Sequence, residues 1–182
     1  LITGMMIGVY MAFNTFVFPD YFSGEYIHFG RVRPVHVGSV TLLWLLSANI
    51  ALLYYLVPRL CGVPLWSPML ANISGYLWWG SLILGVWSYP WGTNFGWEYA
   101  ELPTWISIIP VKFITTIAWL LVVVNIFMTI IVRKYQKMYV SLWYAMGTMI
   151  WTTFTFITGS FGVEWVPEGI SRVNVSFFYV HN

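Results

Sequence analysis

The chain has very little charge. Only 8% of its 182 residues are Asp, Glu, Lys or Arg, against about a quarter in an ordinary soluble domain. With 59% hydrophobic residues and a mean hydropathy of +0.75, that scarcity excludes a water-soluble globular protein. A formal net charge of +2 is too small to make nucleic acid a partner. There is one cysteine, Cys61. It excludes an internal disulfide or a cysteine-built metal cluster, and reads as a small buried apolar residue. Gly-rich phosphate loops, nucleophile elbows and paired thiols are missing, so nothing in the residues points to hydrolysis. The first apolar stretch lacks the basic flank and small-residue cleavage site of a secretory leader, and reads as a span instead. The apolar runs also lack period-two alternation, which excludes a barrel and leaves closed helices.

What the chain does have is long apolar runs. They predict an all-α, polytopic transmembrane bundle in a single membrane domain, 1–182. Five spans are expected, at approximately Ile2–Phe18, His36–Val57, Pro68–Tyr89, Ile106–Val132 and Met138–Phe161, with a sixth beginning near Ser171. All but the first reach the roughly 20 residues that a bilayer core demands. Pro34, Pro68 and Pro110 are read as span starts, where a missing N–H costs little, and Pro58 and Pro90 as span ends. The chain opens inside an apolar run without an initiator methionine and stops inside another helix. Both ends predict a piece of a longer chain.

Charge sets the expected orientation. Arg59, and Arg133, Lys134 and Lys137, occupy two loops that hold no acid; by the positive-inside rule both face the cytoplasm. All six acids, Asp20, Glu25, Glu98, Glu101, Glu164 and Glu168, then fall on the outer side with Trp91, Trp97, Trp105 and Trp165. Lys112, at the start of the fourth span, is expected to snorkel outward.

Chemistry concentrates in Gly30-Arg31-Val32-Arg33-Pro34-Val35-His36. A histidine just inside a membrane span is costly unless paired or coordinated. His36 therefore reads either as an axial haem ligand or as a structural histidine bonded across helices. Arg31 and Arg33 suit haem propionates, or equally lipid head groups. One histidine cannot complete a bis-imidazole haem, so a second ligand must come from elsewhere. His181 lies about 15 Å down the sixth span from the same side and suits copper or iron, unless it faces a polar cavity. Glu98 and Glu101 suit calcium, a salt bridge to Arg31 or Arg33, or a solvated acidic loop. His28 reads as a surface histidine.

The Gly30–His36 stretch resembles the Gly-Arg-x-Arg-Pro-x-His motif in the catalytic subunit of cbb(3)-type cytochrome c oxidases, the C branch of the haem–copper oxidases. Three further segments resemble that family in the same order: Tyr54–Cys61, Glu98-Tyr99-Ala100-Glu101, and Tyr179-Val180-His181-Asn182. The departures are Trp97 for a lysine, Val180 for a glycine, and Val37 where a polar residue usually follows the histidine. The resemblance covers the whole chain, as the first five and a half of about twelve helices.

It implies a terminal oxidase core subunit in the bacterial inner membrane, with its haem end toward the periplasm. His36 would be an axial ligand of low-spin haem b, with Arg31 and Arg33 near propionates. His181 would be one of three copper B histidines, beside a high-spin b-type haem where oxygen is reduced. Glu98 and Glu101 would lie near a calcium. The remaining ligands would lie beyond Asn182. Partner subunits carrying haem c would deliver electrons from cytochrome c, coupled to proton translocation. The related nitric oxide reductases, which bind non-haem iron instead of copper, are the alternative, and a non-catalytic membrane cytochrome is a third reading. Asn182 directly after His181 favours the oxidase.

Overall fold

The computed structural model describes residues 1–18, 24–93 and 102–181. Among these the chain is helical, apart from one isolated antiparallel bridge between Ile106 and Ile109. Six helices follow in order: α1 at Ile2–Val17, α2 at Phe29–Cys61, α3 at Pro68–Trp91, α4 at Val111–Ile131, α5 at residues 140–165 and α6 at Ile170–His181. The all-α bundle predicted from the apolar runs is what forms.

Helices α2, α3 and α4 are long and apolar enough to cross a membrane, with 33, 24 and 21 residues. At 1.5 Å per residue they reach about 50, 36 and 32 Å. Helix α1 is a shorter apolar helix. Helix α5 has the length, but its Trp, Tyr and Thr side chains dilute its hydropathy. Three helices contain π-helical turns: Phe13–Val17 in α1, Ser39–Leu46 in α2 and Thr158–Gly162 in α5.

Several boundaries differ from the sequence reading, for local reasons. Helix α2 starts at Phe29, so Pro34 lies inside it and His36 sits two turns in rather than at the span's start. Proline within the second turn loses one backbone hydrogen bond, and the flanking helix holds it in place. Pro58 is likewise interior; α2 ends at Cys61, where Gly62 takes the left-handed conformation at φ 66°. Helix α4 begins at Val111 rather than near Ile106, because the Ile106–Ile109 bridge turns the chain first. Pro68 does open α3, and the Ser67 hydroxyl caps it by accepting from the Leu70 N–H at 3.2 Å.

The core runs between α2, α3, α4 and α5, through Val57, Leu82, Val86, Trp119, Val122, Ile126 and Met149. Helices α3 and α4 make the most extensive pairing. Polar side chains cross-link it. Asn125 of α4 donates to the Ser67 carbonyl at 2.9 Å and accepts from the Ser67 N–H at 3.0 Å, while Thr129 accepts from the Trp66 N–H at 3.0 Å. These bonds satisfy the Trp66 and Ser67 N–H groups beside the apolar core and add a second donor to the Ser67 carbonyl, which also accepts from the Ala71 N–H at 3.1 Å. Trp78 donates to Ser47 and Trp119 to Thr153, both at 2.9 Å.

The two basic loops meet at one end. The Lys134 N–H donates to the Cys61 carbonyl at 2.9 Å, and the Tyr135 ring lies over Gly62. Cys61 is fully buried. At the other end Lys112 is buried rather than snorkelling, with only 4% of its side chain exposed. Its ammonium is ion-paired with Glu164 and lies 5.5 Å from the Phe161 ring centre. Thr104 donates to the same Glu164 oxygen at 3.0 Å. The expected snorkelling fails because a carboxylate, a hydroxyl and an aromatic face are already in reach.

Candidate functional site

Helix α1 packs along the N-terminal part of α2, and glycines at the contact let the two backbones approach closely. A Cβ on Gly4 would lie 3.1 Å from the Ser39 Cβ and 3.2 Å from Val40. The His36 ring fits into this contact. Its Nδ1 lies 2.6 Å from the Gly4 carbonyl oxygen. A carbonyl only accepts, so Nδ1 carries the proton, and in the neutral ring Nε2 keeps its lone pair. This is the arrangement in which histidine binds a metal through one nitrogen while the other is held. The ring is half-buried. The donor chemistry therefore fits an imidazole that could hold haem iron.

Arg31 does not extend into solvent. Its guanidinium donates to the Pro90 carbonyl at 2.7 Å and lies against Gly92, whose φ of 84° suits a residue without a side chain. The turn that ends α3 thus pins Arg31 at that end of the bundle. Arg33 sits over the Phe29 ring, 5.7 Å from its centre. Both guanidiniums belong to the turns of α2 just before His36. His28, at the start of α2, is exposed.

His181 ends α6. Its ring stacks on Phe177 at 3.7 Å, and its Nδ1 lies 3.0 Å from the Phe177 carbonyl oxygen. Here too the proton belongs on Nδ1, and Nε2 faces away from its own helix bond. Tyr179 anchors the same turn. Its hydroxyl is hydrogen-bonded to Ser160 and its ring is pressed against Gly159, both in the π-helical turn of α5. Among the described residues no three His, Cys, Asp or Glu side chains converge as a metal site. His181 supplies a single imidazole. It rides on α6 against α5, and His36 rides on α2 against α1, so each belongs to a separate helix contact.

Glu98 and Glu101, expected near calcium, lie outside the described residues, as does Asn182. The sequence reading missed the supports of both histidines. For His36 the signal was present, since Gly4 and Gly8 have the small-xxx-small spacing of close-packed membrane helices. For His181 it was not, because Gly159 and Ser160 meet Tyr179 only through the π-helical turn.

The family model for Cytochrome C and Quinol oxidase polypeptide I matches residues 1–182. The Cbb3-type cytochrome c oxidase subunit CcoN1 of Stutzerimonas stutzeri is 34% identical over 149 residues, covering 79% of this chain and 29% of that protein. A cytochrome c oxidase subunit 1 homolog of Agrobacterium tumefaciens (strain T37) is 29% identical over 165 residues, covering 89% of this chain and 29% of that protein. Cytochrome c oxidase subunit 1 of Rhodobacter capsulatus is 26% identical over 196 aligned residues, covering 100% and 35%. The chain spans about a third of the length of these relatives.

Proposed function

The chain belongs to the cytochrome c and quinol oxidase polypeptide I family, and from that premise we propose that it is the N-terminal part of a terminal oxidase core subunit. It forms one membrane domain, residues 1–182, of a multi-subunit respiratory complex of the cbb(3) type. The observation that carries the reading is His36: its Nδ1 proton is held by Gly4, and its Nε2 is left for iron. When bound, the haems and copper B supply one-electron transfer and the reduction of oxygen to water.

This chain's own residues would hold and orient those groups. His36 would supply one imidazole to the iron of low-spin haem b. Arg31, already pinned on Pro90, and Arg33 supply positive charge for propionates at the outer end. His181 would offer copper B one imidazole, oriented by Phe177 and Tyr179. Glu98 and Glu101 are the residues for calcium. The basic end, with Arg59, Arg133, Lys134 and Lys137, faces the bacterial cytoplasm, and the haem end faces the periplasm. Haem-c subunits pass electrons in from cytochrome c, coupled to proton translocation.

Reduced-minus-oxidised spectra and metal analysis of the purified complex test this. Low-spin b haem together with copper is expected. Iron without copper would move the protein to the nitric oxide reductases. The variant His36→Ala should lose the low-spin haem, and an intact low-spin spectrum in that variant would rule out the ligand role.

A further inference from the structure

The α1–α2 contact holds more than a hydrogen bond. A Cβ built on Gly8 would lie 2.7 Å from Cε1, 3.0 Å from Nδ1 and 3.4 Å from Nε2 of His36. These three nearest heavy atoms all belong to one ring, so Gly8 faces the imidazole directly. The ring has no easy way to yield. Its Nδ1 is tied to Gly4 at 2.6 Å, and moving α1 away would break that bond. Moving α1 closer is barred at Gly4, whose hydrogen already faces Ser39 and Val40. Glycine also weakens a helix interior by about 1 kcal/mol relative to alanine. Helix α1 carries that cost twice, one turn apart, at the two positions that touch His36 or its own turn. Gly75, Gly80 and Gly147 are different, since a Cβ on any of them would meet nothing within 4 Å.

We propose that α1 is a seat for the His36 imidazole, in which the Gly4 carbonyl fixes the tautomer and Gly8 is the positioning residue that keeps the ring's flank clear. This inference rests on His36 as the haem ligand. Supports of this kind set how firmly a ligand is held, and removing one typically weakens metal binding roughly 10- to 100-fold. An Nδ1–H bond to a carbonyl also makes the imidazole more basic, which favours the oxidised iron. Weakening it should raise the haem's midpoint potential.

The test uses the whole oxidase complex, carrying Gly8→Ala beside Gly75→Ala and Gly80→Ala. The controls make the same chemical change where there is room. Three readouts are taken: the low-spin electron paramagnetic resonance signal, the low-spin haem midpoint potential and the rate of haem release in detergent. Gly8→Ala should shift the signal, raise the potential and speed release by roughly 10-fold or more, while the controls stay at the parent values. A Gly8→Ala variant that matches its controls overturns the seat and leaves His36 as ligand intact. Retention of the low-spin haem by His36→Ala sinks the ligand reading, and the positioning role with it. If Gly8→Ala does not assemble, the amount of membrane-inserted chain is read by immunoblot in both backgrounds. Crowding of the ring predicts a loss in the parent and none beside His36→Ala; an equal loss in both overturns the proposal.

Discussion

The buried Lys112–Glu164 pair sets up an asymmetric prediction. Lys112 exposes 4% of its side chain and Glu164 exposes 31%, so water can reach the carboxylate but hardly the ammonium. Glu164→Gln keeps an acceptor for Thr104 but leaves a buried cation without its counter-ion. Removing one partner of a fully buried pair costs roughly 3–5 kcal/mol. Partial exposure of Glu164 discounts that to about 2–3 kcal/mol, or about 30- to 150-fold in the equilibrium for detaching α5 from α4. Lys112→Met retains the apolar stem over Phe161 and leaves a carboxylate that can hydrate, so about 1 kcal/mol is expected. The double variant Lys112→Met/Glu164→Gln should recover most of the Glu164→Gln loss. Thermal denaturation of the purified complex, followed across the double-mutant cycle, measures the coupling. Raised salt should change it little, because a buried pair is weakly screened. Equal losses for the two single variants, or additive losses below about 0.5 kcal/mol, would refute the picture of a buried pair with one wet end.

Two further outcomes are expected from the packing. Asn125→Ala strips the acceptor from the Ser67 N–H, while the Ser67 carbonyl keeps the Ala71 N–H at 3.1 Å; one orphaned group at about 1–3 kcal/mol should lower the melting temperature, and an unchanged melt would show that water takes over that group. Gly159→Ala forces a methyl against Tyr179, and overpacking of about 1–3 kcal/mol should part α6 from α5 and lower the copper content with the melting temperature. Normal copper with a lowered melt would mean that Tyr179 holds the fold but does not aim His181.

The run of apolar residues and the placement of charge were enough to read an all-α membrane bundle, because both arise directly from solvation. The Gly30–His36 segment stood out in the sequence because an imidazole just inside a membrane span is expensive without a task. Helix ends were less legible. Pro34 and Pro58 read as boundaries from local preference, but α2 runs through both, since tertiary contacts outweigh a single lost hydrogen bond. Lys112 was misread for a related reason. Snorkelling is the default for a lysine at a span end, and its partner Glu164 is 52 residues away in the chain. Asn125 and Thr129 looked like ordinary polar residues in an apolar span, and only the folded chain brings Ser67 and Trp66 to them. The two histidine supports differ in the same way: Gly4 and Gly8 sit on one regular helix, whereas Gly159 meets Tyr179 after a change in helical pitch.

That change in pitch has its largest consequence in α2. In a regular helix each residue turns the face by about 100°, so a π-helical stretch works as a phase shift between the helical segments on its two sides. The eight residues Ser39–Leu46 stand between His36, turned to α1, and Ser47 and Tyr54, turned to Trp78 and Ser74 of α3. Each half of α2 can thus keep its own azimuth. Deleting one residue inside the stretch would rewind the helix and force one half to give up its partner. Insertions and deletions that are fatal elsewhere in a membrane span should therefore gather in this stretch when relatives are aligned.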